Sequence, residues 1–113
     1  MIKIVPYDKS WPAQFNAEAA AIRKAFGSDA LRIEHVGSTS VPGLAAKPVI
    51  DIQVSVASLE ALVAYSESLA GLGYRHVPLG SFDLEYPFFQ KPAQWPSTHS
   101  SNAAWPWRMT AIP

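Results

Sequence analysis

One stretch of the sequence combines a small-residue turn with a carboxylate on the segment that follows it. Gly37 allows the backbone to approach a ligand without a Cβ in the way. The next residues, Ser38, Thr39 and Ser40, present hydroxyl and N–H groups suited to phosphate oxygens. Asp51 follows on a predicted strand, from which it could fix a divalent cation against the same phosphates. The pattern predicts a phosphate site, and it is also compatible with a surface turn and a solvated strand carboxylate.

Three further polar side chains flank the turn and the strand. Lys47 either reaches a polyphosphate as a point charge or is a solvated loop lysine. His35 either orients the turn, contacts a phosphate or is a buried histidine bonded to backbone groups. Gln53 shares the polar strand face with Asp51, because side chains two positions apart along a strand point the same way.

Two segments with strand periodicity hold the turn between them. Leu31, Ile33 and His35 alternate with polar residues, which is the pattern of a half-buried strand that leads into the turn. In the segment 49–56, valine or isoleucine recurs at every second position and the polar residues occupy the opposite face. The sequence therefore predicts a strand before the turn and a second strand after it.

Two helices are predicted, one before and one after this strand pair. The first follows Ser10, which can cap it, and Pro12, which fits a first helical turn; Gly27 ends it. The second begins after Ser58 and ends at Gly73. The expected apolar stripes are Phe15, Ala19, Ile22 and Phe26 in the first helix, with Glu18 facing away, and Leu59, Leu62, Val63, Leu69 and Leu72 in the second.

The remaining third of the chain changes character after Lys91. Short strands are predicted at 74–77 and 86–90, and Pro87 indicates an edge or bulged position for the latter. The segment 92–113 is rich in proline and tryptophan and shows no sustained period of 2 or 3.6 residues. We therefore expect an irregular tail there.

Composition excludes several classes of function. Nine basic residues balance nine acidic ones and are scattered, whereas extended nucleic-acid binding needs clustered positive charge. The chain has no cysteine, so disulfides, thiolate catalysis and cysteine-based zinc sites are ruled out. His76 and His99 have no metal-ligand spacing. No apolar run approaches the ~20 residues of a membrane span, and we expect a soluble, cytoplasmic protein.

The run from His35 to Ile52 resembles the defining motif of the GrpB-like family. This family is assigned to the nucleotidyltransferase superfamily with the polymerase-β-type fold. The resemblance implies an α+β (α/β-like) fold in which a small mixed β-sheet packs against two main helices. It covers most of residues 1–91, and we find none in the tail. Supporting matches are Tyr7-Asp8 with Trp11 and Phe15, Leu72-Gly73-Tyr74, and Phe88-Phe89-Gln90-Lys91.

The superfamily signature is Gly-Ser followed by two strand carboxylates one residue apart, which hold metal ions. The resemblance implies Gly37 and Ser38 at the phosphates and Asp51 as catalytic residue and metal ligand. The second carboxylate position is Gln53, whose amide oxygen can contact a cation but brings no charge. The cofactor implied is Mg²⁺. Candidates for a third carboxylate are Asp83 and Glu85.

Three classes of function remain open. The first is a Mg²⁺-dependent nucleotidyltransferase that binds phosphates at Gly37, Ser38, Thr39, Ser40, Lys47 and His35, with Asp51 and Gln53 at the metal. The second is a non-catalytic nucleotide-binding or accessory module, as in GrpB-like domains fused to dephospho-coenzyme A kinases. The third is an inactive truncated product. The expected partner is a nucleotide or a phosphorylated small molecule, and neither an extended nucleic acid nor a membrane.

The resemblance also implies that the C-terminal elements of the fold are missing. Family members continue into a His-x-His strand and a closing helix, whereas this chain offers only Thr98-His99-Ser100-Ser101. We interpret 1–91 as an incomplete domain and 92–113 as the product of an altered reading frame or gene end near 92–100. A sheet without those elements would expose an edge, which favours homo-oligomers.

Overall fold

The computed structural model describes residues 4–57, 62–77, 87–91 and 107–112. Two α-helices and five β-strands lie in these ranges, and short 3₁₀ turns cover Gly27–Asp29 and Ser38–Ser40. In chain order the elements are α1 (Trp11–Phe26), β1 (Ala30–Val36), β2 (Ile50–Val56), α2 (Leu62–Gly71), β3 (Arg75–Val77), β4 (Phe88–Lys91) and β5 (Trp107–Ile112).

The five strands form one mixed sheet in the order β1-β2-β5-β4-β3. Strands β2 and β5 are parallel, and the other three pairs are antiparallel. The predicted small mixed sheet with two main helices is confirmed. Among the described strands β1 and β3 are the edges, so β2, which carries the candidate carboxylate, lies inside the sheet with a partner on each side.

Strand β2 shows why the two faces of the sheet differ. Its valine and isoleucine side chains, at 50, 52, 54 and 56, are buried, whereas its intervening polar side chains are half-buried. The buried set packs against Ile22 and Phe26 of α1 and Leu69 of α2 in the core. We call the other side of the sheet the open face; on β2 and β5 it comprises Asp51, Gln53, Ser55, Arg108, Thr110 and Ile112.

Helix α1 begins and ends where predicted, but its start is stabilised differently. The Ser10 side chain makes no capping hydrogen bond. Instead its N–H and hydroxyl both donate to Asp8 Oδ1, and its oxygen accepts a bond from Gln14 Nε2. Gly27 ends the helix with φ +59°. Helix α2 ends at Gly71, and the predicted cap Ser58 lies outside the described residues.

Glu18 of α1 corrects the predicted helix stripe. Its side chain was expected to face away from the core, yet the residue is buried at 9% exposure. The Tyr74 hydroxyl donates to Glu18 Oε2 at 2.8 Å, and Lys91 Nζ forms an ion pair with the same oxygen. A carboxylate can be buried when it is paired and hydrogen-bonded, and periodicity alone does not reveal such partners.

Strand β5 corrects the prediction that 92–113 is irregular. Trp107–Ile112 is a central strand, with Met109 and Ala111 buried between β2 and β4. Its alternation is short and follows a proline, so the sequence signal was weak; the pairing partners on both sides define the strand. The rest of the predicted tail lies outside the described residues.

Strand β4 corrects a smaller point. Pro87 immediately precedes the strand, and β4 pairs with β5 on one side and β3 on the other, so it is not an edge. A proline before the first residue of a strand removes no ladder hydrogen bond from that strand. The Pro87 carbonyl instead accepts a bond from Ala111 N at 3.0 Å.

Within the described ranges, neither helix has the length and apolar character required to cross a membrane.

Candidate functional site

The turn between β1 and β2 begins at Gly37 and is closed by its own backbone. Ser40 N–H donates to the Gly37 carbonyl at 3.1 Å, and Val41 N–H donates to the Ser38 carbonyl at 3.2 Å. The Ser40 hydroxyl also donates to the Gly37 carbonyl, at 2.6 Å. The first N–H group that donates within the turn is that of Ser40. The N–H groups of Ser38 and Thr39 come before it in the chain and donate to no carbonyl of the turn. Ser38 is exposed, so its N–H is available to a ligand, whereas Thr39 is buried.

Gly37 and Asp51 are in direct contact. Gly37 has φ +78°, a left-handed conformation that side chains disfavour. A Cβ added there would overlap Oδ2 of Asp51 and lie 3.2 Å from its Cβ and Cγ. The sequence needs glycine at this position for two reasons, and the structure confirms that the predicted turn and the predicted carboxylate lie together.

Thr39 lies in the interior, at 1% exposure, and its side chain stabilises the turn from the core side. Its hydroxyl donates to the Val49 carbonyl at 2.9 Å and lies 2.9 Å from His35 Nε2. Because the single hydroxyl proton is already donated, Nε2 of His35 must carry a proton and donate to Thr39. Phe15 of α1 stacks on the His35 ring at 5.0 Å. The Thr39 hydroxyl therefore faces the fold, and the burial of this residue does not fit the predicted phosphate contact by Thr39.

Replacing Thr39 by valine is expected to destabilise the fold by ~1–3 kcal/mol, because it leaves the Val49 carbonyl and His35 Nε2–H without their partner. Thr39→Ser is the matched control: it keeps the hydroxyl and loses one buried methyl, for about 1 kcal/mol. Urea unfolding followed by circular dichroism measures both. A Thr39→Val protein as stable as the unchanged protein would show that the hydroxyl contributes nothing.

Burial and neighbouring cations compete at Asp51. Partial burial raises the pKa of its carboxyl, and the charges of Arg108, His35 and Lys47 oppose that rise in this order. Burial also lowers the pKa of His35, against the opposing effect of Asp51. The neutral imidazole is therefore favoured at neutral pH, in agreement with the hydrogen bond it donates to Thr39.

Arg108 belongs to this site, although no pattern in the sequence selects it. It lies on β5 directly beside Asp51 in the parallel register, on the open face. Its Nε is buried and has no hydrogen-bond partner among the described residues. The signal was absent from the sequence because it depends on the pairing of β5 with β2, and β5 itself was not predicted.

The described residues do not fit a pair of metal ions. They contain no group of three or more histidine, aspartate or glutamate side chains that could hold a metal. Among the described residues Asp51 is the carboxylate in contact with the turn, Gln53 brings no charge, and the register partner of Asp51 on β5 is Arg108. Hard cations favour several carboxylate and water oxygens. The third-carboxylate candidates Asp83 and Glu85 lie outside the described residues.

The structure thus brings together most of the predicted site. Gly37, Asp51, His35 and Lys47 converge at the turn, and Arg108 joins them. Ser38 and Ser40 are placed by the turn itself. His76 lies on β3, at the opposite edge of the sheet from β1, and its ring centroid is 5.4 Å from that of Phe89. His99 lies outside the described residues.

Comparison with known proteins decides the family. A family model described as GrpB protein matches residues 1–110. The chain belongs to the GrpB family. The matched range extends beyond residue 91, where we had expected the similarity to end, and it takes in most of β5.

Several relatives share substantial identity with this GrpB chain. A UPF0157 protein of Halalkalibacterium halodurans is 48% identical over 73 residues, covering 65% of this chain and 37% of the relative. A UPF0157 protein of Pseudomonas aeruginosa is 49% identical over 74 residues, or 66% of this chain and 31% of the relative. A dephospho-CoA kinase of Mycolicibacterium paratuberculosis is 42% identical over 89 residues, or 76% and 22%. The alignments thus span between about a fifth and two fifths of these relatives.

Solved structures agree on the fold. The conserved protein GrpB from Enterococcus faecalis superposes with a TM-score of 0.79 at 28% identity, over 97% of this chain and 61% of that one. The Cid1 poly(U) polymerase superposes with a TM-score of 0.58 at 12% identity, over 96% of this chain and 32% of that one. The second similarity concerns the fold alone, and the fold is of the nucleotidyltransferase type.

Proposed function

We propose that this GrpB chain is a nucleotide-binding module that receives the phosphates of its ligand at the turn 37–40. The observation that carries the proposal is the contact between Gly37 and Asp51, with Lys47 and Arg108 acting on the same carboxylate. A backbone with a free N–H group beside two cations suits phosphate oxygens. The side chains at the site thus supply binding groups rather than a complete catalytic set.

Each group in the site has a defined role in this proposal. The N–H of Ser38 donates to a phosphate oxygen, and Lys47 balances the charge of the phosphates. Gly37 lets the phosphate approach the backbone. His35 holds Thr39, and hence the turn, through the hydrogen bond described above.

The relatives support a module that works beside another activity. Four relatives that match over part of their length are named dephospho-CoA kinase, and this chain aligns with 18–22% of them. A domain that binds a nucleotide without transforming it could serve such a neighbour as an accessory. That role rests on the names of those proteins and remains a proposal for this chain.

A second candidate is Mg²⁺-dependent nucleotidyl transfer, favoured by the carboxylate of Asp51 beside the Gly37–Ser38 turn in a fold of the nucleotidyltransferase type. This candidate needs further negative charge at the metal, which Gln53 does not supply. The two candidates differ in what they require of a divalent cation, and one titration separates them.

A ¹⁵N–¹H NMR titration with ATP is expected to shift the amide signals of residues 37–40. Lys47→Gln should weaken binding about 3- to 10-fold, because it removes one cation from a partly screened site. Lys9→Gln is the matched control, an exposed loop lysine outside the site, and should leave the affinity unchanged. Titrations in EDTA and in Mg²⁺ are run in parallel.

The proposal fails if ATP shifts no signals at the turn in either condition, or if the shifts lie elsewhere on the sheet. Conversion of ATP to pyrophosphate and a nucleotidylated acceptor in Mg²⁺ would establish the second candidate instead.

A further inference from the structure

The guanidinium of Arg108 has a buried nitrogen that lacks a hydrogen-bond acceptor among the described residues. Arg108 is half-buried, and its Nε has no hydrogen-bond partner among the described residues. A buried donor without an acceptor is costly, and a native structure that keeps one calls for an explanation. Bonding to an oxyanion would satisfy it, since the planar fork of an arginine matches two oxygens of a phosphate.

Arg108 and Asp51 attract each other electrostatically, but they do not form an ion pair. The two residues are register partners on parallel strands, and the positive charge of Arg108 acts on the carboxylate. Yet the ion pairs within 4.0 Å among the described residues are Arg32–Glu34 and Lys91–Glu18. The donors of the Arg108 guanidinium are thus not held in an ion pair with Asp51.

The charge at the site favours an anion over a cation. Arg108 and Lys47 are positive, Asp51 is negative when ionised, and His35 is favoured as the neutral form. The sum is one positive charge. Because charges a few ångströms apart interact strongly in a partly buried site, a divalent cation is repelled by the same arrangement that attracts a phosphate.

We propose that the guanidinium of Arg108 takes the place of a metal ion in this site. It binds the phosphate oxygens of the ligand directly, and binding does not depend on a divalent cation. The inference rests on the proposed function and adds a residue and a mode of recognition to it. Asp51 is then not a metal ligand but a negative charge beside Arg108 on the neighbouring strand. Inorganic tripolyphosphate should bind at the same place as ATP, because the phosphates carry the recognition.

Isothermal titration calorimetry with tripolyphosphate and with ATP tests this, each in EDTA and in Mg²⁺. Removal of divalent cation should not weaken tripolyphosphate binding. Arg108→Gln should weaken it about 10- to 100-fold, which corresponds to the loss of a hydrogen bond between charged groups, and Arg108→Lys should recover part of that loss. Asp51→Asn should raise the affinity, because a negative charge that competes with the phosphate is removed.

Two controls separate binding from folding. Arg32→Gln makes the same change of charge on the exposed edge strand, where Arg32 pairs with Glu34, and should not alter the affinity. In the unchanged protein, the Nε–H signal of Arg108 should shift when tripolyphosphate is added. That readout needs no variant, so it decides the question even if Arg108→Gln fails to fold.

The outcomes distinguish this inference from the function on which it rests. ATP binding that requires Mg²⁺ and is lost in Asp51→Asn would overturn the role of Arg108 and leave the nucleotide site standing. Tripolyphosphate binding through Arg108, with no binding of ATP, would support the role of Arg108 and overturn the nucleotide assignment. If neither probe moves the Arg108 signal, both proposals are wrong.

Discussion

Replacing Glu18 by alanine is expected to destabilise the protein by about 3–5 kcal/mol, the usual cost of removing one partner from a buried ion pair. The Glu18 and Lys91 side chains are 11% and 13% exposed, so water cannot replace the lost partner. The Tyr74 hydroxyl, which donates to Glu18 at 2.8 Å, also loses its acceptor. Lys91 would be left facing the rings of Tyr74 and Trp107, at 5.1 and 5.0 Å.

The expected cost is large because Glu18 joins parts of the fold that are far apart in the chain. The residue lies on α1, Lys91 on β4 and Trp107 on the central strand β5. Tyr74 connects the end of α2 to β3 and is itself buried at 4% exposure. Burial and the negative charge of Glu18 both raise the pKa of the Tyr74 hydroxyl, so it remains a donor across the accessible pH range.

Urea unfolding followed by circular dichroism measures the effect. Glu67→Ala is the matched control, because it makes the same substitution at an exposed position inside a helix, and it should change stability by no more than about 0.5 kcal/mol. The double variant Glu18→Gln with Lys91→Met removes both charges and keeps an acceptor for Tyr74, so it should recover much of the loss. Equal effects of Glu18→Ala and Glu67→Ala would refute the buried pair.

Gly37→Ala is expected to destabilise the protein by ~2–5 kcal/mol and to abolish phosphate binding. Two effects add: the left-handed backbone at φ +78° costs about 1–2 kcal/mol for an L side chain, and the new Cβ overlaps the Asp51 carboxylate, at about 1–3 kcal/mol for overpacking. The carboxylate is held on an internal strand between two partners, so it cannot move away cheaply.

Gly43→Ala isolates the second effect. Gly43 also has a positive φ, +83°, but an added Cβ would meet nothing within 4 Å. Its cost should be about 1–2 kcal/mol, with the NMR signals of the turn unchanged. If the two glycine variants unfold at the same urea concentration, the close packing of Gly37 on Asp51 contributes nothing to stability.

Local patterns were enough to predict the part of the fold that carries the turn. The alternation in β1 and β2 and the limits of α1 are properties of short segments, because a period of 2 or 3.6 residues is repeated within each of them. Gly37 and Asp51 were predicted together because they flank one connection, residues 37–49, between neighbouring antiparallel strands. The roles of Ser38, Ser40 and Gln53 as ligand contacts stay predictions.

What the sequence did not reveal involves pairs of residues that are distant in the chain. Glu18 has the residue type of a solvated helix face, and only Tyr74 and Lys91 make its burial favourable. Thr39 has the residue type of a phosphate contact, and only Val49 and His35 direct its hydroxyl inward.

The sequence by itself determined the turn, its glycine and the strand carboxylate, because each depends on conformational preferences of adjacent residues. The tertiary structure alone decided that β5 lies beside β2 and that Arg108, not a carboxylate, is the neighbour of Asp51. The physical reason is that strand register is fixed by non-local pairing on both sides of a strand. A six-residue segment with a weak alternation thus becomes the centre of the sheet, and its arginine becomes part of the site.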